Sequence, residues 1–182
     1  MNKTIVSTAA LSAAALTLGV AAPANAASIG VKDPEDTYHG SDLRAVVVKN
    51  EANLVVTTTH SGLRRDPATG SGGAVYIDTV RADKGPELVF VGGYFEGTDY
   101  QLLETEGFGS KNWGAPVDGF YEMTVDYDKE RVRMKMSREA IGGAGKVRIA
   151  VRVSGTRTDG TSHGLVDWLG EPRSFTPWVA RG

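Results

Sequence analysis

The chain has 182 residues, 20 Lys and Arg against 22 Asp and Glu, and no cysteine. Without cysteine neither a disulfide nor a thiolate metal site can form, so packing must supply the stability. The slight acidic excess also lacks the basic footprint with which a nucleic-acid binder neutralises phosphates, and no nucleic-acid partner is expected.

Residues 1–26 read as a signal peptide. Lys3 stands near the start, an apolar run follows over 9–22, and Ala24-Asn25-Ala26 has the small-x-small pattern of a cleavage site. The run is shorter than the roughly 20 residues of a bilayer helix, so a secreted protein without a membrane anchor is expected. Removing 26 of the 182 residues leaves 156, the size of one domain. Residues 27–41 are poor in large apolar side chains and rich in Asp, Pro and Gly, which predicts a loose lead-in. A single domain is expected over 42–182.

The first predicted strands cover 43–49 and 53–60, joined by Asn50-Glu51-Ala52 as a hairpin. Residues 61–73, with four glycines and a proline, predict a long loop. Strands follow over 74–79, where Val75 and Ile77 alternate with Tyr76 and Asp78, and over 87–95. The pair Gly92-Gly93 inside the latter predicts a bulge or a close backbone approach. Residues 100–105 form the next predicted strand, and 106–119 a second long loop carrying Phe108 and Trp113. Over 120–136 two alternating segments flank Tyr127-Asp128-Lys129, with Val132, Met134 and Met136 opposed to Arg131, Arg133 and Lys135. Residues 137–142 predict one helical turn capped by Ser137 and ended by glycines. Residues 146–154 alternate again, and 155–182 read as loop with Trp168, Phe175 and Trp178. About eight strands, one short helical turn and no long helix predict an all-β fold, an antiparallel β-sandwich or jelly roll.

Catalytic signals are weak. Residues 160–164 match G-x-S-x-G, but the nucleophile elbow needs a strand before it, a helix after it and a later histidine, and none follows His163. The histidines, His39, His60 and His163, have no metal-ligand spacing, and His60 at a strand end reads as a surface or capping residue. Asp33, Glu35, Asp36 and Asp42 are oxygen donors in a flexible segment, which makes Asp33, Asp36 and Asp42 the candidate metal ligands, with calcium as the ion. Aromatic residues gather at strand ends and in loops. Sugar rings stack on such side chains through their C–H faces while charged neighbours satisfy the hydroxyls, so Trp113, Tyr94 and Tyr100, with Arg64-Arg65-Asp66, are the candidate ligand-binding residues. Arg131, Arg133 and Lys135 on one strand and Lys146, Arg148 and Arg152 on another would form a basic patch for an anionic wall polymer if their strands were neighbours.

The segments Asp33-Pro34-Glu35-Asp36-Thr37, Ser41-Asp42-Leu43-Arg44 before a valine strand, Tyr76-Ile77-Asp78-Thr79, and the 136–142 turn before the Arg-Val strand resemble exported actinobacterial proteins of unknown function. More distantly the pattern is similar to the β-sandwich group of DOMON domains and family 9 carbohydrate-binding modules. That resemblance implies a ligand-binding sandwich, with sugar as a ligand and calcium as an occasional companion. DOMON relatives that hold haem use Met and His, whereas Met134 and Met136 alternate with charges as core residues do, so no haem is expected. The expected function is non-catalytic binding of an extracellular carbohydrate by a secreted monomer. The alternatives are a surface protein contacting another protein or an anionic wall polymer, and a hydrolase.

Overall fold

The computed structural model describes residues 27–37, 41–156 and 164–182. The expected signal peptide, His39, His163 and most of the 160–164 motif lie outside the described residues. Twelve strands run in chain order: β1 Ser28–Lys32, β2 Asp42–Asn50, β3 Asn53–Ser61, β4 Gly72–Asp78, β5 Leu88–Gly93, β6 Tyr100–Thr105, β7 Trp113–Pro116, β8 Tyr121–Asp126, β9 Arg131–Ser137, β10 Lys146–Thr156, β11 Gly164–Trp168 and β12 Val179–Ala180. They form two antiparallel sheets, a five-stranded one ordered β1-β2-β3-β9-β8 and a larger one ordered β11-β10-β4-β5-β6-β7, with β12 beside β10. The all-β antiparallel sandwich is as expected.

All eight expected strands are present, and β1, β7, β11 and β12 are additional. β1 pairs along β2 from Ser28↔Lys49 to Lys32↔Ala45, so the lead-in is not wholly loose. It carries only Ile29 and Val31 as branched apolar residues, and its order comes from main-chain bonds to a strand that is already formed. The Ser137 hydroxyl accepts from the Ala140 N–H at 3.2 Å, and Gly142 and Gly143 adopt φ of 61° and 70°, so the 137–142 segment is capped and glycine-ended as expected but is a tight turn rather than a helical one; the short 3-10 turns lie at Pro67–Thr69 and Ser110–Asn112.

The inner faces follow the two-residue alternation. Val46, Val48, Leu54, Val56, Val132, Met134 and Met136 from one sheet meet Val75, Ile77, Phe90, Leu102, Val147, Ile149, Val151 and Val153 from the other, all buried. Each such side chain contributes about 1.5–3 kcal/mol through apolar burial. The predicted close approach at the paired glycines is real: Gly72 lies opposite Gly93, and Gly73 opposite Gly92. A Cβ at Gly73 would strike the Tyr94 hydroxyl, and one at Gly92 would meet Met123 Sδ at 2.8 Å, so this glycine patch lets two large core side chains lie flat on the sheet.

Candidate functional site

The larger sheet has a second apolar face, turned away from the core. Ala150, Tyr76, Val89 and Leu103 lie directly opposite one another across β10, β4, β5 and β6, making an apolar row. The small residues Ala150, opposite Tyr76 on β10, and Ala74, two residues before it on β4, leave room for large rings above them. Two segments fold over this floor. Residues 106–112 bring Phe108, held by the Tyr76 hydroxyl, which donates to the Phe108 carbonyl at 3.0 Å, and by the Thr105 hydroxyl, 2.8 Å from the Gly107 carbonyl. Residues 169–178 bring Phe175. They are anchored by Arg148, whose guanidinium grips the fully buried Asp78 carboxylate at 2.5 and 2.6 Å and lies over the rings of Phe175 and Trp178 at 4.5 and 4.9 Å.

Between the two segments lies an aromatic cleft of about 710 Å³ whose walls include Tyr76, Phe108, Trp113, Trp168, Arg152 and Arg173. Tyr76 and Trp168 stack at 6.0 Å and 15°, and Phe108 meets Trp168 edge-on at 5.9 Å. Burial pushes the Tyr76 phenol above its usual range, so it stays a neutral hydrogen-bonding group. Arg152 and Arg173 have no ion-pair partner among the described residues. Arg173 holds φ at 64°, a left-handed conformation that costs a non-glycine residue about 1 kcal/mol, within the turn that sets its place on the rim. Trp113 is also a wall of a neighbouring cleft of about 590 Å³, whose lining includes Glu87, Glu104, Glu106 and Lys111.

Of the residues singled out from sequence, Trp113 lines the aromatic cleft and the others lie elsewhere. Tyr94 is 1 % exposed inside the core, edge-on to His60 at 5.2 Å. Tyr100 is half-buried, stacked on Phe90 at 5.8 Å. Asp66 caps the turn Pro67–Thr69 by accepting from the Ala68 N–H at 2.8 Å. Arg65 pairs with Glu96 at 2.6 Å above the Tyr127 ring, and Arg64 is exposed. That loop enters β4 at Gly72, whereas Trp113 sits beside Thr105 at the far end of the same sheet, about 20 Å along the strand direction. Sequence reasoning missed Trp168, Arg152, Phe108 and Tyr76 as partners of Trp113. The readable signal was the unbroken apolar runs 74–77 and 88–91, which mark strands covered on both faces.

The two expected basic rows do not merge, because β9 belongs to the five-stranded sheet and β10 to the larger one. His60 is not a surface residue. It is 2 % exposed, 2.6 Å from the Thr58 hydroxyl, and its burial lowers the imidazole pKa to about 4. A strand, β11, begins at Gly164, where a nucleophile elbow would need a helix.

The acidic cluster differs by one residue from the set expected. Asp33, Asp36 and Asp167 each place a carboxylate oxygen within 4.8 Å of the other two. Asp42 is beside them, but its own oxygens are occupied. Oδ1 accepts from the Asp36 and Thr37 N–H groups at 3.3 and 3.0 Å, and Oδ2 from the Ser61 hydroxyl at 3.1 Å and the Arg44 guanidinium at 3.2 Å. Desolvation, opposed in part by a hydrogen bond from the Leu43 N–H, raises the Asp167 pKa to about 6 and is reinforced by the neighbouring carboxylates; Asp33 is raised as well, mainly by burial.

Among the described residues no helix is long and apolar enough to cross a membrane. Compared with known proteins, the chain matches no protein-family model and no curated protein.

Proposed function

We propose that the protein is a secreted, non-catalytic β-sandwich that binds an extracellular carbohydrate in the aromatic cleft of its larger sheet. The observation that carries this reading is the convergence of Tyr76, Phe108, Trp113 and Trp168 around about 710 Å³ of open space, with two arginines in its walls. The volume falls within the range of small-molecule sites. The ring faces suit the C–H faces of sugars, and the exposed Ser110 hydroxyl is available as a polar contact. Arg152 and Arg173 favour a glycan that carries acidic groups, such as a uronic acid or an anionic cell-wall polymer, because a guanidinium binds a carboxylate or phosphate through paired hydrogen bonds. Among the described residues the lining includes no histidine and no carboxylate, which supports binding without acid–base chemistry.

The test is titration of the purified protein with neutral and uronic-acid oligosaccharides, read by tryptophan fluorescence and by thermal unfolding. Saturable binding of an acidic glycan is expected, lost in Trp168→Ala and in Trp113→Ala and weakened at least tenfold in Arg152→Gln. Binding that survives both tryptophan variants, or no response to any glycan, contradicts the proposal.

A further inference from the structure

The acidic cluster lies where the two sheets meet at an open edge of the sandwich. Asp33 follows β1, at the margin of the five-stranded sheet, and Asp167 sits in β11, at the margin of the larger one. Each is already tied across that gap: Asp33 Oδ1 accepts from the Gly170 N–H at 2.7 Å, and Asp167 Oδ2 accepts from the Leu43 N–H at 2.7 Å. Both side chains are buried, at 6 % and 7 % exposure. The second oxygen of Asp33, Oδ2, is buried with no hydrogen-bond partner among the described residues. An unpartnered carboxylate oxygen in such a place costs desolvation energy that a cation, a proton or a bound water recovers, and a cation recovers most when further carboxylates converge on it.

We infer that Asp33, Asp36 and Asp167 form a calcium site that clasps the two sheets together. Calcium binds oxygen at 2.3–2.6 Å, so two of its ligands stand no more than about 5 Å apart, and the three carboxylates, with oxygens all within 4.8 Å of one another, meet that condition. Magnesium, at 2.0–2.1 Å in a strict octahedron and reluctant to lose its waters, is less tolerant of ligands fixed by two separate sheets. Asp36 is exposed, so the site opens to solvent and water can complete the six to eight ligands. Asp42 serves as scaffold, fixing the main chain at Asp36 and Thr37. Arg44 offsets the cluster only in part: its charge favours the ionised form of Asp33, but its guanidinium is engaged by Glu35 and Asp42 at 3.2 Å each.

The experiment uses the full chain freed of metal by chelation at pH 7.5. Calcium at about 100 times its Kd should raise Tm by about 5–10 °C, and magnesium by far less. Terbium, an oxygen-seeking probe of similar size, should give tryptophan-sensitised emission that calcium displaces. Asp33→Asn and Asp167→Asn should abolish both responses. Asp36→Asn tests the same site from its exposed member, where folding is least at risk. Trp168→Ala, which empties the aromatic cleft, should keep the calcium shift, so that this inference and the glycan proposal fail separately. An identical Tm in calcium and in chelator without terbium emission, or responses that persist in Asp33→Asn and Asp36→Asn, would overturn it.

Discussion

The outer faces of the two sheets are built on opposite plans. On the five-stranded sheet, Val55, Thr57 and Thr59 of β3 stand opposite Lys135, Arg133 and Arg131 of β9, which in turn face Glu122, Thr124 and Asp126 of β8. Arg133 and Lys135 share Glu122 at 3.5 and 3.4 Å, an ordinary solvated ladder. On the larger sheet the corresponding row is Ala150, Tyr76, Val89 and Leu103, and two non-strand segments cover it. The contrast shows that a flat polar face needs nothing beyond its strands. An apolar outer face requires a lid, and an incomplete lid leaves a cleft.

If that cover is what makes the site, the largest effect should come from its anchor. Arg148→Ala leaves the Asp78 charge buried without its partner and should cost about 3–5 kcal/mol in urea unfolding, while freeing residues 169–178 and weakening glycan binding with it. Next in size is a pH effect from the other side of the sandwich. The unfolded chain protonates His60 near pH 6.5 and the folded one near 4, so His60 removes about 3 kcal/mol of stability as pH falls from about 6.5 to 4. Asp167 acts in the opposite sense. Its folded carboxyl keeps its proton up to about pH 6 and the unfolded one only to 3.8, so its contribution is lost as pH rises through that window. In chelator, His60→Gln should therefore gain stability relative to the wild type on acidification from pH 6 to 4, and Asp167→Asn should lose stability relative to it; profiles parallel to the wild type in chemical denaturation would contradict both assignments. The smallest effect belongs to the polar face. Glu122→Gln should change stability by no more than about 0.5 kcal/mol and leave ligand binding unaltered.

The same contrast explains what could be read from the sequence. Strands such as β9, with Val132, Met134 and Met136 against Arg131, Arg133 and Lys135, announce both their structure and their facing. β7, β11 and β12 have no such periodicity, and β1 shows it only through Ile29 and Val31. They are two to five residues long and exist because a neighbouring strand offers unpaired main-chain groups. Trp168 and Asp167 fell within the segment read as loop, and adjacent positions in β11 send one to the aromatic cleft and the other between the sheets. Trp113 was legible as an aromatic in a glycine-rich loop, but its companions come from β4, β10 and β11, which only the sheet order brings together. Tyr94, equally prominent in the sequence, is drawn into the core because Gly73 leaves a hollow for its ring.

The most direct test of the central claim is an amide and indole chemical-shift map of the isotopically labelled protein with an acidic oligosaccharide. Shifts confined to Tyr76, Phe108, Trp113, Arg152, Trp168 and Arg173 are the predicted result. Shifts on Thr57, Arg133 and Lys135 of the polar face, or none at saturating ligand, would contradict it.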